Sequence, residues 1–118
     1  MNFIFASSDA LAWPIAQNLL TLDGFSGFLS KPDKASGRDQ IVRPNSFSAI
    51  CEEKGYSVSK PTDLNQIKSF LTEKKIDLVV TCAYGVLVKE PILSNPKYGW
   101  LNIHFSLLPE LRGAAPVQ

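Results

Sequence analysis

The chain has 118 residues, of which 45% are hydrophobic and 19% charged, a balance typical of a globular domain with its own core. Its formal net charge of +1 excludes a strong overall attraction to nucleic acids or acidic membranes. No apolar run reaches the roughly 18 residues of a membrane span, and the first residues lack the basic start of a signal peptide, so a cytoplasmic protein is expected.

Short apolar runs alternate with longer amphipathic ones along the chain. Pro14 is tolerated only in the first turn of a helix, so the regular part of the first helix is expected to begin near Trp13. Asn45 and Asp63 are favourable N-cap residues for the next two helices. In chain order the predicted elements are strand 2–6, helix 9–22, strand 24–30, polar loop 31–44, helix 45–55, strand 56–59, helix 63–75, strand 77–83, a short helix or turn 88–95 and strand 100–105.

This alternation predicts an α/β fold with a Rossmann-like parallel sheet and helices on both of its faces. The near-continuous apolar run 78–83 is typical of a strand that is covered on both sides. A dinucleotide site needs glycines in the first strand-to-helix turn, and no glycine occurs between residues 1 and 23. A nicotinamide or flavin dinucleotide is therefore not expected at that turn, and nothing in the sequence marks an internal domain boundary.

The cysteines and the local charges limit the kinds of site that the sequence predicts. Cys51 and Cys82 lie in apolar surroundings on a predicted helix and a predicted strand, which indicates two reduced core thiols. No cysteine and histidine spacing predicts a metal site, so no metal is expected. Residues 31–43 carry four cationic side chains against two carboxylates and form a mildly basic loop, too small for a nucleic-acid patch by itself.

The last predicted strand carries the polar residues with the most chemical potential. Asn102, His104 and Ser106 share one side of it, because alternate strand residues point the same way, and parallel sheets bind ligands beyond the carboxyl ends of their strands. Histidine exchanges protons near neutrality, and an asparagine NH₂ suits a developing oxyanion, so the pair fits acyl transfer. A lone histidine at a strand end is more often a surface or hydrogen-bonded core residue, and the residues alone leave both interpretations open.

The loop that follows this strand is apolar. Leu107 and Leu108 lie in a stretch bounded by Pro109 and Gly113, which predicts a shaped loop rather than a helix. Apolar side chains in a loop either pack beneath it or bind a flat apolar ligand such as a heteroaromatic ring.

The final stretch, LNIHFSLLPELRGAAPVQ at 101–118, resembles the signature of the 10-formyltetrahydrofolate-dependent formyltransferases, whose core is Asn-x-His followed by Ser-Leu-Leu-Pro. Its continuation, RGAAPVQ, is most similar to the branch of that family that acts on methionyl-tRNA. The stretches NFIFAS at 2–7, KPDKASGR at 31–38 and DLVVTCAYGVLV at 77–88 resemble the first strand, a loop and the AYG turn of the family. The similarity covers essentially the whole chain.

The resemblance implies that residues 1–118 are the N-terminal part of a formyltransferase catalytic domain whose C-terminal remainder is absent. The implied reaction moves a formyl group from 10-formyltetrahydrofolate to the amino group of initiator Met-tRNA for translation initiation. Asn102 would hold the formyl oxygen and His104 would stabilise the tetrahedral intermediate or relay its protons. Arg38 matches an arginine that helps to place the acceptor end of the tRNA. The implied folate contacts are the backbone of Val86, Leu87 and Val88, and the side chains of Ser106, Leu107, Leu108 and Pro109.

The sequence departs from the family pattern at several positions. Ser7 stands where the first turn usually has a glycine, and Lys89 stands where a proline is usual. Asp39 and Gln40 follow Arg38 where the family is more basic, which weakens the expectation of phosphate contacts. The catalytic aspartate of the family lies well downstream of the Asn-His motif and is not among these residues, so the chain alone is expected to be inactive or nearly so.

Two alternatives stay open at this level. A related transferase could act on a small amine such as an amino-sugar nucleotide, which the weakened basic loop favours and the RGAAPVQ stretch opposes. The chain could instead be a non-catalytic truncated module that self-associates through the unpaired edge of its last strand.

Overall fold

The structure, a computed structural model, describes residues 1–104, and its main feature is a five-stranded parallel sheet with helices on both faces. The predicted fold class is therefore confirmed. In chain order the elements are β1 Phe3–Ala6, a short 3-10 turn Ala10–Ala12, α1 Trp13–Leu19, β2 Phe25–Leu29, β3 Lys34–Ser36, β4 Ile41–Arg43, α2 Ser46–Glu53, β5 Val58–Ser59, α3 Leu64–Glu73, β6 Leu78–Thr81 and β7 Trp100–Asn102.

The order of the strands fixes where a ligand can bind. The sheet has the order β5-β2-β1-β6-β7, so the chain first moves outward from β1 to β5 and then returns to the other side of β1. Open parallel sheets bind ligands outside the carboxyl ends of the strands at such a reversal. In this chain the reversal lies between β1 and β6, where Ala6 is paired with Thr81.

Successive side chains of β1 pack on opposite faces of the sheet, each of which is covered by a hydrophobic core. This is the burial on both sides that the apolar runs in the sequence predicted. Phe3 and Phe5 pack with α1 and α2, whereas Ile4 and Ala6 pack beneath α3. All four side chains are at most 5% exposed. Because both faces are covered, the strands need no polar alternation.

An aromatic cluster dominates the face covered by α1 and α2. The ring of Phe28 lies 4.9 Å from that of Phe25, 5.5 Å from Phe47 and 5.9 Å from Tyr56. These separations fall in the range in which aromatic pairs attract each other. The opposite face is aliphatic, with Ile67 and Leu71 of α3 buried against the sheet.

The helices α2 and α3 begin directly after the N-cap residues that were predicted from the sequence. Asn45 Oδ1 accepts a hydrogen bond from the backbone N–H of Ser48 at 2.9 Å, and Asp63 Oδ1 accepts one from Gln66 at the same distance. Each carboxamide or carboxylate oxygen satisfies an N–H that has no partner inside the helix. The first α-helix begins at Trp13 with Pro14 in its first turn, also as predicted.

The prediction for residues 31–44 was wrong. This polar segment contains an antiparallel hairpin of β3 and β4, which pairs Lys34 with Arg43 and Ser36 with Ile41. Most of its residues are exposed, so no alternation of buried and exposed side chains marks it in the sequence. The hairpin is held locally, because Arg43 Nη2 binds Asp39 Oδ2 at 2.7 Å and Arg43 Nη1 donates to the Ser36 carbonyl at 2.9 Å. The last strand also differs, since β7 ends at Asn102 rather than at residue 105.

The first turn accommodates Ser7 in place of glycine. Ser7 is fully buried and does not adopt a positive φ, so its backbone does not require glycine. Its Oγ accepts a hydrogen bond from the Asp9 N–H at 3.2 Å, and its carbonyl accepts one from Ser30 Oγ at 2.6 Å. The serine therefore ties the end of β1 to the end of β2.

Both cysteines are buried free thiols, as predicted. Burial raises the pKa of Cys51 to about 11 and also raises the pKa of Cys82, so both remain protonated at neutral pH.

Within residues 1–104 no helix has the length and apolar character needed to cross a membrane. Among these residues β7 pairs only with β6, and self-association through its other edge stays a prediction.

Candidate functional site

A cleft of about 620 Å³ lies at the carboxyl ends of β6 and β7. Its walls come from residues 81–86, from Val88, Leu93 and Trp100, and from residues 102–104. Its volume lies within the roughly 300–1,000 Å³ of typical small-molecule sites. It therefore lies at the carboxyl ends of the strands, where parallel sheets bind ligands, and next to the reversal between β1 and β6.

The segment after β6 is anchored to the first turn of the chain. The backbone N–H of Ser8 donates to the carbonyl of Ala83 at 2.9 Å, and Ser8 Oγ donates to the carbonyl of Tyr84 at 2.7 Å. Ala83 and Gly85 have positive φ values of 55° and 81°, so the chain turns sharply there. These contacts fix the loop that forms one wall of the cleft.

Tyr84 packs into the core on the α3 side and is only 4% exposed. Burial raises the pKa of its phenol to about 12, so the ring stays neutral. Its hydroxyl has no hydrogen-bond partner among the described residues.

Asn102 and His104 lie side by side at the end of β7. Asn102 Nδ2 is 3.3 Å from His104 Nε2, and both side chains are exposed to the cleft. Ile103, between them in sequence, packs on the opposite side with the aromatic core. An amide donor and a proton-exchanging ring therefore face the same space, the arrangement that stabilises and protonates a tetrahedral oxygen.

Two of the three loop residues named from the sequence border the same cleft. Val86 and Val88 are half-buried in its wall, whereas Leu87 is 77% exposed and faces a neighbouring cavity of about 260 Å³. Val86 lines both spaces, so the second cavity, beside Leu64 at the start of α3, adjoins the first. The structure thus brings Val86 and Val88 to the cleft that holds Asn102 and His104, but not the side chain of Leu87.

Comparison with known proteins gives the family. Residues 22–118 match the model of the formyl transferase family. The chain belongs to the formyl transferase family. It is 38% identical to the methionyl-tRNA formyltransferases of Acidothermus cellulolyticus, over 121 aligned residues, and Corynebacterium aurimucosum, over 126. The corresponding protein of Bacillus mycoides is 35% identical over 123 aligned residues. These alignments cover 99–100% of this chain but only 37–38% of the relatives, so the chain spans less than two-fifths of their length.

No residue of the basic hairpin of this formyl transferase chain lines the cleft itself. Arg38 is exposed in the turn between β3 and β4 and makes no ion pair within residues 1–104. Asp39, which weakened the expected positive charge, is bound by Arg43, and this contact lowers the pKa of its carboxyl group. The aspartate is therefore paired within the hairpin, where its charge offsets that of Arg43.

A basic cavity at the base of the hairpin adjoins the cleft. It measures about 270 Å³ and is lined by Lys31, Lys34 and Arg43 together with Ser8 and other polar residues. Ser8 also bonds the Tyr84 carbonyl in the cleft loop. A Cβ placed on Gly85 would lie 3.6 Å from Lys31 Nζ, so the ammonium group approaches that loop.

Four predicted folate residues, Ser106, Leu107, Leu108 and Pro109, lie outside the described residues. Conversely, sequence reasoning did not single out Thr81 and Trp100. Trp100 Nε1 donates to the Ile92 carbonyl at 3.2 Å, which fixes its ring against the cleft. Thr81 is the only polar side chain in β6, and that interruption of an apolar strand was the signal that could have identified it.

Proposed function

We propose that this chain carries the formyl-donor site and the Asn–His pair of an enzyme that transfers a formyl group from 10-formyltetrahydrofolate to the amino group of Met-tRNA. The observation that supports this most is the convergence of Asn102, His104 and the loop 83–88 on one cleft. We further propose that residues 1–118 form the N-terminal part of the catalytic domain, since the relatives with that printed function are far longer.

The proposed chemistry needs an oxyanion donor and a proton carrier. The acceptor amine attacks the formyl carbon, a new C–N bond forms, and the carbonyl electron pair moves onto oxygen. The Asn102 NH₂ donates to that oxygen, and His104 takes the proton that the amine loses. Collapse of the intermediate breaks the bond between the formyl carbon and N10 of the folate, which receives a proton in turn.

The cleft fits a flat heteroaromatic donor. Trp100 and the half-buried Val86 and Val88 offer apolar surface, while the backbone of residues 83–88 offers polar groups along one edge. Such a combination of apolar walls and a few placed polar groups is typical of cofactor sites. Ser106, Leu107, Leu108 and Pro109 complete the proposed folate contacts from the adjoining motif.

The acceptor proposal rests on charge and on relatives. The relatives are named for methionyl-tRNA, and the hairpin presents Arg38, which makes no ion pair among the described residues. The cavity at the base of the hairpin adds Lys31 and Lys34, together with Arg43, which is paired with Asp39. Phosphate groups are attracted to such clusters. The Arg43–Asp39 ion pair offsets one of these cations, so the proposed attraction rests on Arg38, Lys31 and Lys34, and a small amine such as an amino-sugar nucleotide stays the alternative acceptor.

Donor binding can be tested with the chain itself and a hydrolysis-resistant 10-formyl folate analogue. We expect saturable shifts in the NMR signals of the Trp100 indole and of His104, the only histidine. Trp13 is the internal control, because it packs in the aromatic core on the α1 and α2 side. Equal shifts at both tryptophans, or no shift at Trp100 at millimolar analogue, would refute the donor proposal. Little turnover is expected from the chain alone, so transfer is assayed in a chimaera in which the Acidothermus relative supplies the sequence downstream of residue 118.

Arg38→Ala in that chimaera is expected to weaken tRNA binding and to lower the slope of log K against log salt by about 1, because one phosphate contact is lost. Lys74→Ala is the charge-matched control, since Lys74 caps α3 shortly before the amino end of β6, whereas the cleft lies at the carboxyl end of that strand. Filter binding at several salt concentrations measures the tRNA affinity and its salt slope for both variants. A salt slope that Arg38→Ala leaves unchanged, or that Lys74→Ala lowers equally, argues against a phosphate contact at Arg38.

A further inference from the structure

The hydroxyl of Thr81 makes a contact that no other group in β6 could make. Thr81 ends the strand, is 8% exposed and donates from Oγ1 to Asn102 Oδ1 at 3.0 Å. The parallel register pairs Thr81 directly with Asn102, so the two side chains emerge on the same face of the sheet. The contact is therefore set by strand pairing rather than by a flexible loop.

This bond favours one orientation of the Asn102 amide, because Asn102 Oδ1 is the one acceptor that the described residues offer to the Thr81 hydroxyl hydrogen. An amide oxygen only accepts hydrogen bonds and an amide NH₂ only donates them. With Oδ1 directed to Thr81, Nδ2 is directed to His104 Nε2, 3.3 Å away. The second hydrogen of the NH₂ remains for an acceptor in the cleft.

We infer that Thr81 is a positioning residue whose hydroxyl orients the Asn102 amide with its NH₂ toward the cleft and toward His104. A rotated amide would direct Nδ2 to Thr81 Oγ1, which would leave the hydroxyl hydrogen without an acceptor among the described residues, and would present Oδ1, which only accepts, to the cleft and to His104. The same orientation keeps Nε2 of neutral His104 as the acceptor nitrogen, so the ring proton resides on Nδ1. The inference rests on the proposed function only where it assigns the cleft acceptor to a formyl oxygen.

The orientation has a direct spectroscopic signature in the chain. His104 is the only histidine, so ¹⁵N NMR of the neutral imidazole reports its tautomer ratio without further assignment. Thr81→Val keeps the side-chain shape and removes the donor, and we expect the ratio of the Nδ1–H to the Nε2–H form to fall about fivefold, as for the loss of one hydrogen bond. Thr81→Ser retains the donor and is expected to preserve the ratio.

Matched variants separate orientation from general disturbance. Thr72→Val removes an exposed hydroxyl from α3 and is expected to leave the ratio unchanged. Asn102→Ala removes the NH₂ and should lower the ratio as Thr81→Val does, while the double variant should lower it no further. An unchanged ratio in Thr81→Val, or additive losses in the double variant, would overturn the inference.

A second measurement needs no variant. In the unaltered chain, nuclear Overhauser contacts are expected between the Asn102 NH₂ and the His104 ring, and their absence would contradict the proposed orientation even if Thr81→Val failed to fold. In the chimaera, Thr81→Val should lower kcat about fivefold with little change in the donor KM. A chimaera without formyl transfer would count against the proposed function, whereas the tautomer ratio tests the orientation independently.

Discussion

Replacing His104 with alanine in the chimaera is expected to lower the rate of formyl transfer by about 10²–10⁴-fold, the usual contribution of a general acid or base. His104 is the only histidine of the chain, and its Nε2 lies 3.3 Å from the Asn102 amide that faces the same cleft. In the proposed mechanism this loss removes the group that would carry the proton between the attacking amine and the departing folate nitrogen. Single-turnover kinetics with saturating donor measures the chemical step.

Asn102→Ala is expected to lower the rate of formyl transfer by about 10²–10³-fold, as for other oxyanion donors. The variant that carries both Asn102→Ala and His104→Ala should be little slower than His104→Ala alone. The effects are not additive because both groups act on the same intermediate. Asn18→Ala is the control, since Asn18 is exposed on α1 and lies outside the cleft. If His104→Ala retained the parental rate, or Asn18→Ala lost as much as Asn102→Ala, the proposed roles would be wrong.

The sequence predicted the layered fold because its strands are buried on two sides. The run at 78–83 could be recognised as such a strand, and the structure places Val79 under α3 and Val80 on the aromatic side. The N-caps at Asn45 and Asp63 were equally visible, since their hydrogen bonds are local in sequence. The features that depend on local sequence patterns, the buried strands and the helix N-caps, could therefore be predicted from the sequence.

The hairpin formed by β3 and β4 escaped prediction for the opposite reason. Its strands are three residues long and mostly exposed, so burial imposes no period on them. Its stability comes from strand pairing and from Arg43, which reaches back to Asp39 and to the Ser36 carbonyl. Such contacts depend on side-chain geometry, which a pattern of apolar and polar residues does not contain.

The candidate site was predicted in part. The alternation of strand residues placed Asn102 and His104 on one side, and the structure brings them to one cleft. Their neighbour Thr81 is 21 residues from Asn102 in sequence, so only the register of β6 against β7 reveals the contact. The sequence alone named these two candidate residues, whereas the contact that orients Asn102 could be seen only from the pairing of β6 with β7.

Leu29→Ala is expected to lower the free energy of unfolding by about 2–5 kcal/mol, because it removes a buried side chain and leaves a cavity. Leu29 is fully buried on β2, where it contributes to the core beneath α3. The loss is a large part of the roughly 5–15 kcal/mol that holds a typical domain folded. Leu22→Ala is the matched control, since Leu22 is 53% exposed, and we expect a change within about 0.5 kcal/mol. Urea unfolding followed by tryptophan fluorescence measures both, and equal losses in the two variants would contradict a sheet covered by α3. Because Ser30, the next residue, bonds the Ser7 carbonyl, a loosened Leu29 should also disturb the first turn that anchors the cleft loop.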